Sequence, residues 1–149
     1  MINDWIKENV INNLLHITNP TQNYYVRTKE EISKHLSEWL LQFDTVELIS
    51  DCCHYDMVLF IDIFGSAFDI PKNVTAVCYD INQDIQNKYQ ISQAEAFDMN
   101  REELLEKLSH KKLDKNNKHN ALYDAKVIRL IYWYLNGYIT IPNKDDIIL

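Results

Sequence analysis

The sequence predicts an α/β domain with a partly parallel sheet, on three observations. Val46-Glu47-Leu48-Ile49-Ser50 is rich in β-formers and follows the turn-like Asp44-Thr45. An apolar segment of helical length comes next, and Val74 to Tyr79 then forms a second strand-like run. Strand, helix and strand in that order, between segments of helical periodicity, make an α/β arrangement. A chain of 149 residues suits one domain around one core, here residues 1–149.

The elements follow in order. Asp4 to Ile17 reads as an amphipathic helix, with Trp5, Ile6, Val10, Ile11, Leu14 and Leu15 on one stripe, and Asn19-Pro20 ends it. Tyr24 to Arg27 is a short extended piece. Thr28 followed by Glu31 is a capping box that opens a helix to about Phe43, with Ile32, Leu36, Trp39, Leu40 and Phe43 inward. After the first strand, a helix from about Tyr55 to Phe64 is stopped by Gly65. Its apolar residues run almost all round, which predicts deep burial. Ile81 to Tyr89 is helical, and Asn100 with Glu103 caps a helix to about Leu108. His110 to Lys118 is a polar, lysine-rich loop. The last helix runs from about Asn120 to Leu135 and ends at Asn136-Gly137. Tyr138 to Ile141 is a final strand, with a tail from Pro142.

Composition narrows the class. Charged residues at 25% and hydrophobic ones at 46% are ordinary for a globular protein, and nine Tyr and five Phe argue against disorder. No apolar run approaches the roughly 20 residues of a membrane span, and the N-terminus has no cleavable apolar stretch. The expected setting is the cytoplasm, with no membrane partner. A net charge of −7 disfavours broad phosphate neutralisation. It is compatible with a carboxylate site in which metal ions bring the positive charge to a phosphate. Three cysteines, Cys52, Cys53 and Cys78, read as reduced thiols. Cys52 and Cys53 beside His54 invite a metal reading, but neighbours on a strand point to opposite faces, so small buried strand-end residues are the better account.

Two segments carry chemistry. In His119-Asn120-Ala121-Leu122-Tyr123-Asp124-Ala125 a basic loop opens a helix. Five residues turn a helix by roughly 500°, or about 140° net, so His119 and Asp124 converge only if His119 precedes the helix. Asp124 near the helix N-terminus is favoured as a carboxylate by the helix dipole. Ser50-Asp51-Cys52-Cys53-His54-Tyr55-Asp56 sits where the clearest strand runs into a helix, at the strand end where open α/β sheets place ligand-contacting groups. Taken singly, Asp56 is an ordinary N-terminal helix charge and His119 a solvated loop histidine; their order and placement together point to a site.

These two segments resemble motifs of the DEDDh 3′→5′ exonucleases. Ser50 to Asp56 looks like the second motif, whose last Asp is a metal ligand, although Asp51-Cys52 stands where the superfamily often has His-Asn. His119 to Asp124 looks like the third, H-x-A-x-x-D. The closer likeness is to short mycobacterial-type 3′→5′ exoribonucleases, and Asp4-Trp5-Ile6-Lys7-Glu8-Asn9-Val10 resembles the first helix after their opening strands. The resemblance implies a ribonuclease H-like fold acting on RNA or short oligonucleotide 3′ ends. It implies a site where four carboxylates hold two Mg²⁺ or Mn²⁺ ions. Asp124 would be the ligand on the nucleophile side, Asp56 the ligand of the other ion, and His119 the general base.

The family's first motif, Asp-x-Glu on the first strand, has no counterpart in the 149 residues. The opening antiparallel strands are also missing from the pattern, so Met1 reads as an internal start, a truncated form or a decayed gene. Two carboxylates against two divalent cations leave the charge half balanced, which implies negligible nuclease activity for this chain. An absent central strand exposes the edge beside Val46–Ser50 and favours self-pairing into a homo-oligomer or capture of a partner strand. Two other accounts stay open: a non-catalytic binding or interaction module that kept the fold, and an unrelated α/β domain in which the motifs coincide by chance.

Overall fold

The computed structural model describes residues 3–8, 27–113 and 118–139. The elements are α1 (Asp4–Ile6), α2 (Lys29–Leu40), β1 (Val46–Ser50), α3 (Cys53–Phe64), β2 (Val74–Asp80), α4 (Ile81–Tyr89), α5 (Gln93–Asp98), α6 (Arg101–Ser109) and α7 (Ala121–Leu135). The architecture is mixed α/β with a two-stranded parallel sheet. Among the described residues no helix is long and apolar enough to cross a membrane. The chain divides into two compact units, one of residues 23–81 and one of residues 1–22 with 82–149.

The first unit is a parallel β-α-β unit with α2 packed on its helix. Thr28 caps α2 as expected: its hydroxyl accepts from Glu31 N–H at 3.3 Å, and Glu31 Oε2 accepts from Thr28 N–H at 3.0 Å. The helix ends at Leu40 rather than Phe43. Leu40 is buried, whereas Ile32, Trp39 and Phe43, expected inward, are each more than two-fifths exposed. Beyond Leu40 the chain turns toward β1, which lifts Phe43 off the helical stripe. Asn73 ties this turn to the second strand, with Nδ2 donating to the carbonyls of Leu40 and Phe43, both at 2.8 Å.

β1 and β2 pair in parallel with Leu48 opposite Cys78, Ile49 opposite Tyr79 and Ser50 opposite Asp80. The register is irregular between Val46 and Leu48. α3 packs on both strands and on α2. It is not deeply buried, contrary to the expectation from its composition. None of its residues is fully buried, and Tyr55, Val58 and Leu59 are 64%, 64% and 65% exposed. Apolar content all round a helix predicts burial only where neighbours exist to cover every face; here the sheet and α2 cover part of it.

The second unit is helical. β2 runs directly into α4 at Ile81. Ser92 opens α5 with a capping box to Glu95, a short helix that the periodicity did not suggest. Asn100 caps α6 through Glu103 N–H at 3.0 Å. α6 packs on α7, and Ile85, Ala96, Leu104, Leu105, Tyr123, Val127, Leu130 and Ile131 are buried. Arg101 fastens the unit. Its Nη1 donates to the carbonyls of Ala96 at 2.9 Å and Met99 at 3.1 Å, and its Nη2 to Asn82 Oδ1.

The end of α7 explains a further difference. Gly137, at φ +74°, donates its N–H to Tyr134 O at 3.4 Å, and Tyr138 donates to Trp133 O at 2.9 Å. This is a Schellman closure, which needs the left-handed residue that glycine supplies. Tyr138 and Ile139 are therefore not in a strand; residues 140 and 141, and the tail from Pro142, lie outside the described residues. So do most of the expected first helix, from residue 9 on, and residues 24–26 of the expected extended piece.

Candidate functional site

Asp56 lies in the first turn of α3, just past the C-terminal end of β1. Ser50, the last and buried residue of β1, holds it there: Ser50 Oγ donates to Asp56 Oδ2 and accepts from Cys52 N–H at 2.9 Å. One hydroxyl thus orders both the turn and the carboxylate. α3 begins at Cys53, two residues earlier than the periodicity indicated, because the Tyr55 and Asp56 N–H groups already donate to Cys52 O.

The parallel register adds a residue that the sequence reading missed. Asp80, at the end of β2, stands opposite Ser50. Asp56, Asp51 and Asp80 all bear on Cys52: burial first, and then these three carboxylates, push its thiol above the ordinary range. The end of the sheet is therefore a region of negative potential, which favours cations over anions. The signal for Asp80 was present. Two parallel strands joined by a helix bring their C-terminal ends side by side, so the residue ending the second strand belongs with the segment after the first.

His119 and Asp124 belong to the other unit. His119 is in the turn before α7, at φ +68°, in the left-handed region that is unusual for a side-chain-bearing residue. Asn120 follows as N-cap, its side-chain oxygen accepting from Leu122 N–H at 3.1 Å and Tyr123 N–H at 3.2 Å. Asp124 N–H donates to Asn120 O at 2.9 Å, so this carboxylate lies one turn into the helix while His119 precedes it. Lys118 pins the turn from the other side, with Nζ 3.3 Å from Oε2 of the buried Glu102. Replacing Asn120 with alanine is expected to cost about 1 kcal/mol of stability by leaving two N–H groups uncapped, as a shift in chemical denaturation reads it.

No family model, curated protein or solved structure matches the chain. Carboxylate oxygens are the donors that Mg²⁺ and Mn²⁺ prefer, so Asp56 and Asp124 suit these ions in kind. They do not suit them in number: among the described residues no three His, Cys, Asp or Glu side chains are grouped to hold a metal ion. Of the two tyrosines considered for base stacking, Tyr123 is buried in the core, 5% exposed. Tyr55 is exposed, with its ring centroid 4.3 Å from that of His54.

Proposed function

We propose that this chain is a 3′→5′ exonuclease-type domain of the DEDDh kind, with a ribonuclease H-like fold, whose substrates are the 3′ ends of RNA or short oligonucleotides. The observation that carries this reading is the pairing of two local arrangements. A carboxylate, Asp56, is held by Ser50 at the C-terminal end of a parallel strand. A histidine, His119, stands in a left-handed turn immediately before a helix whose first turn holds Asp124. Both arrangements fall on the segments whose sequences resemble the exonuclease motifs.

On this reading Asp56 and Asp124 each give a carboxylate to Mg²⁺ or Mn²⁺. The ions would supply positive charge at the phosphate and a more acidic water when bound. His119, on a turn pinned by Lys118 and capped by Asn120, would take a proton from that water. Asp-x-Glu occurs nowhere in the 149 residues. This polypeptide alone therefore brings two of the four carboxylates and should bind metal weakly unless substrate phosphates complete the coordination. A purified sample is expected to show no measurable Mg²⁺-dependent 3′ trimming of a labelled oligonucleotide; robust trimming would overturn the account of the missing ligands.

Metal binding tests the reading itself. Mn²⁺ titrated with a nucleoside 5′-monophosphate present should bind, and Asp56→Asn or Asp124→Asn should each weaken binding at least about tenfold. A module that kept only the fold binds no Mn²⁺ through these side chains, and indifference to both substitutions would exclude the exonuclease reading.

A further inference from the structure

We propose that Cys53 and Cys78 form a reversible disulfide that staples the first turn of α3 to β2. Cys53 is the first residue of α3, and Cys78 lies on the face of β2 that α3 covers. Their Sγ atoms are 2.7 Å apart. Both residues are free thiols of intermediate exposure. A disulfide has its sulfurs at roughly 2.05 Å, so the pair needs about 0.65 Å of closure. Cys52, next along the chain, is the N-cap of α3 and has no such partner among the described residues.

The oxidant is a small-molecule disulfide such as oxidised glutathione. One cysteine loses its proton, attacks a sulfur of the reagent and expels one glutathione as thiolate. The second cysteine, deprotonated in turn, attacks the protein sulfur of the mixed disulfide and expels the other glutathione. The two cysteines are oxidised by two electrons in all, the reagent is reduced to two thiols, and the released protons end on those thiols. The second step is intramolecular between groups already in contact, which favours the internal bond strongly over the mixed disulfide. Burial, the neighbouring Cys78 and the Asp80 and Asp56 carboxylates push the Cys53 thiol up to about 12. Attack by Cys53 is therefore slow at neutral pH, where little of it is thiolate.

The consequence is structural. The bond closes the loop from 53 to 78, which holds the whole of α3, and fixes the helix end that carries Asp56 against the strand that ends in Asp80. The inference does not depend on the nuclease reading, since it needs only the two sulfurs.

The full chain, equilibrated in mixtures of reduced and oxidised glutathione, quenched by alkylation and mapped by mass spectrometry, tests it. The expected result is loss of two hydrogen atoms in mass, a linked Cys53–Cys78 peptide, alkylated Cys52, and a raised melting temperature that reductant reverses. Cys52→Ser should keep the bond, and Cys78→Ser should leave only mixed disulfide at Cys53, at least about tenfold less than the wild-type internal bond. Three alkylated cysteines throughout, separate glutathione adducts on Cys53 and Cys78, or a bond to Cys52 would each overturn the proposal.

Discussion

Replacing Arg101 with alanine is expected to cost roughly 3 kcal/mol of folding stability, the first of two large losses expected in the helical unit. The guanidinium donates to two backbone carbonyls, of Ala96 and Met99, and to the side-chain oxygen of Asn82. Asn82 is itself buried, so its oxygen cannot simply turn to water. Removing the donor fork strands these acceptors, and the cost of unmade hydrogen bonds exceeds the worth of made ones. Arg101→Lys should recover only part of the loss, because an ammonium is a point donor and cannot span three acceptors set apart by the fork. Urea denaturation of the three proteins reads the difference as displaced midpoints. An Arg101→Ala midpoint within experimental scatter of wild type would mean that Arg101 does not join α4, α5 and α6.

Ile131→Ala is the second, at about 3 kcal/mol within the range of roughly 2–5 for a buried aliphatic truncated to alanine. Ile131 is fully buried in α7, a helix that packs on α6. The opposite side of the same helix gives the control. Leu122 is 57% exposed, so Leu122→Ala should change stability by less than about 0.5 kcal/mol. Both substitutions act on one helix with the same helix-forming residue, so their difference isolates burial from propensity. Equal effects would show that the packing of α7 against α6 contributes little.

What was legible in the residues, and what was not, separates along physical lines. Short-range signals were read well. Thr28 with Glu31, Asn100 with Glu103, and Asn120 with Gly137 mark helix ends because capping is decided within one turn. Ser92 with Glu95 is the same signal, on a helix too short to show periodicity. The parallel β-α-β order was legible because strand-forming runs flank a helix-length segment. Burial was not. The apolar residues of α3 say that the helix prefers cover, but not that Tyr55, Val58 and Leu59 have it. Tyr138 shows the same limit at a chain turn, where a strand-like run is recruited to close a helix instead.

The candidate site divides in the same way. The strand-to-helix placement of Asp56 and the loop-to-helix placement of His119 and Asp124 follow from local sequence, and both appear in the structure. Asp80 and the Cys53–Cys78 contact depend on strand register and helix packing, which bring together residues 25 to 30 positions apart. Motifs read along the chain do not contain that information; only the parallel topology supplies it.

The proposed function gives Mn²⁺ a carboxylate at Asp56 in one unit and at Asp124, beside His119, in the other. Residue-resolved NMR during Mn²⁺ addition, with a nucleoside monophosphate present, tests this most directly, because the ion broadens only the amides near it. The account predicts that amides around Asp56 and those of residues 119–124 both broaden, and that Asp56→Asn and Asp124→Asn each remove the effect around the substituted residue. Broadening confined to one segment, or absent from both, would contradict it.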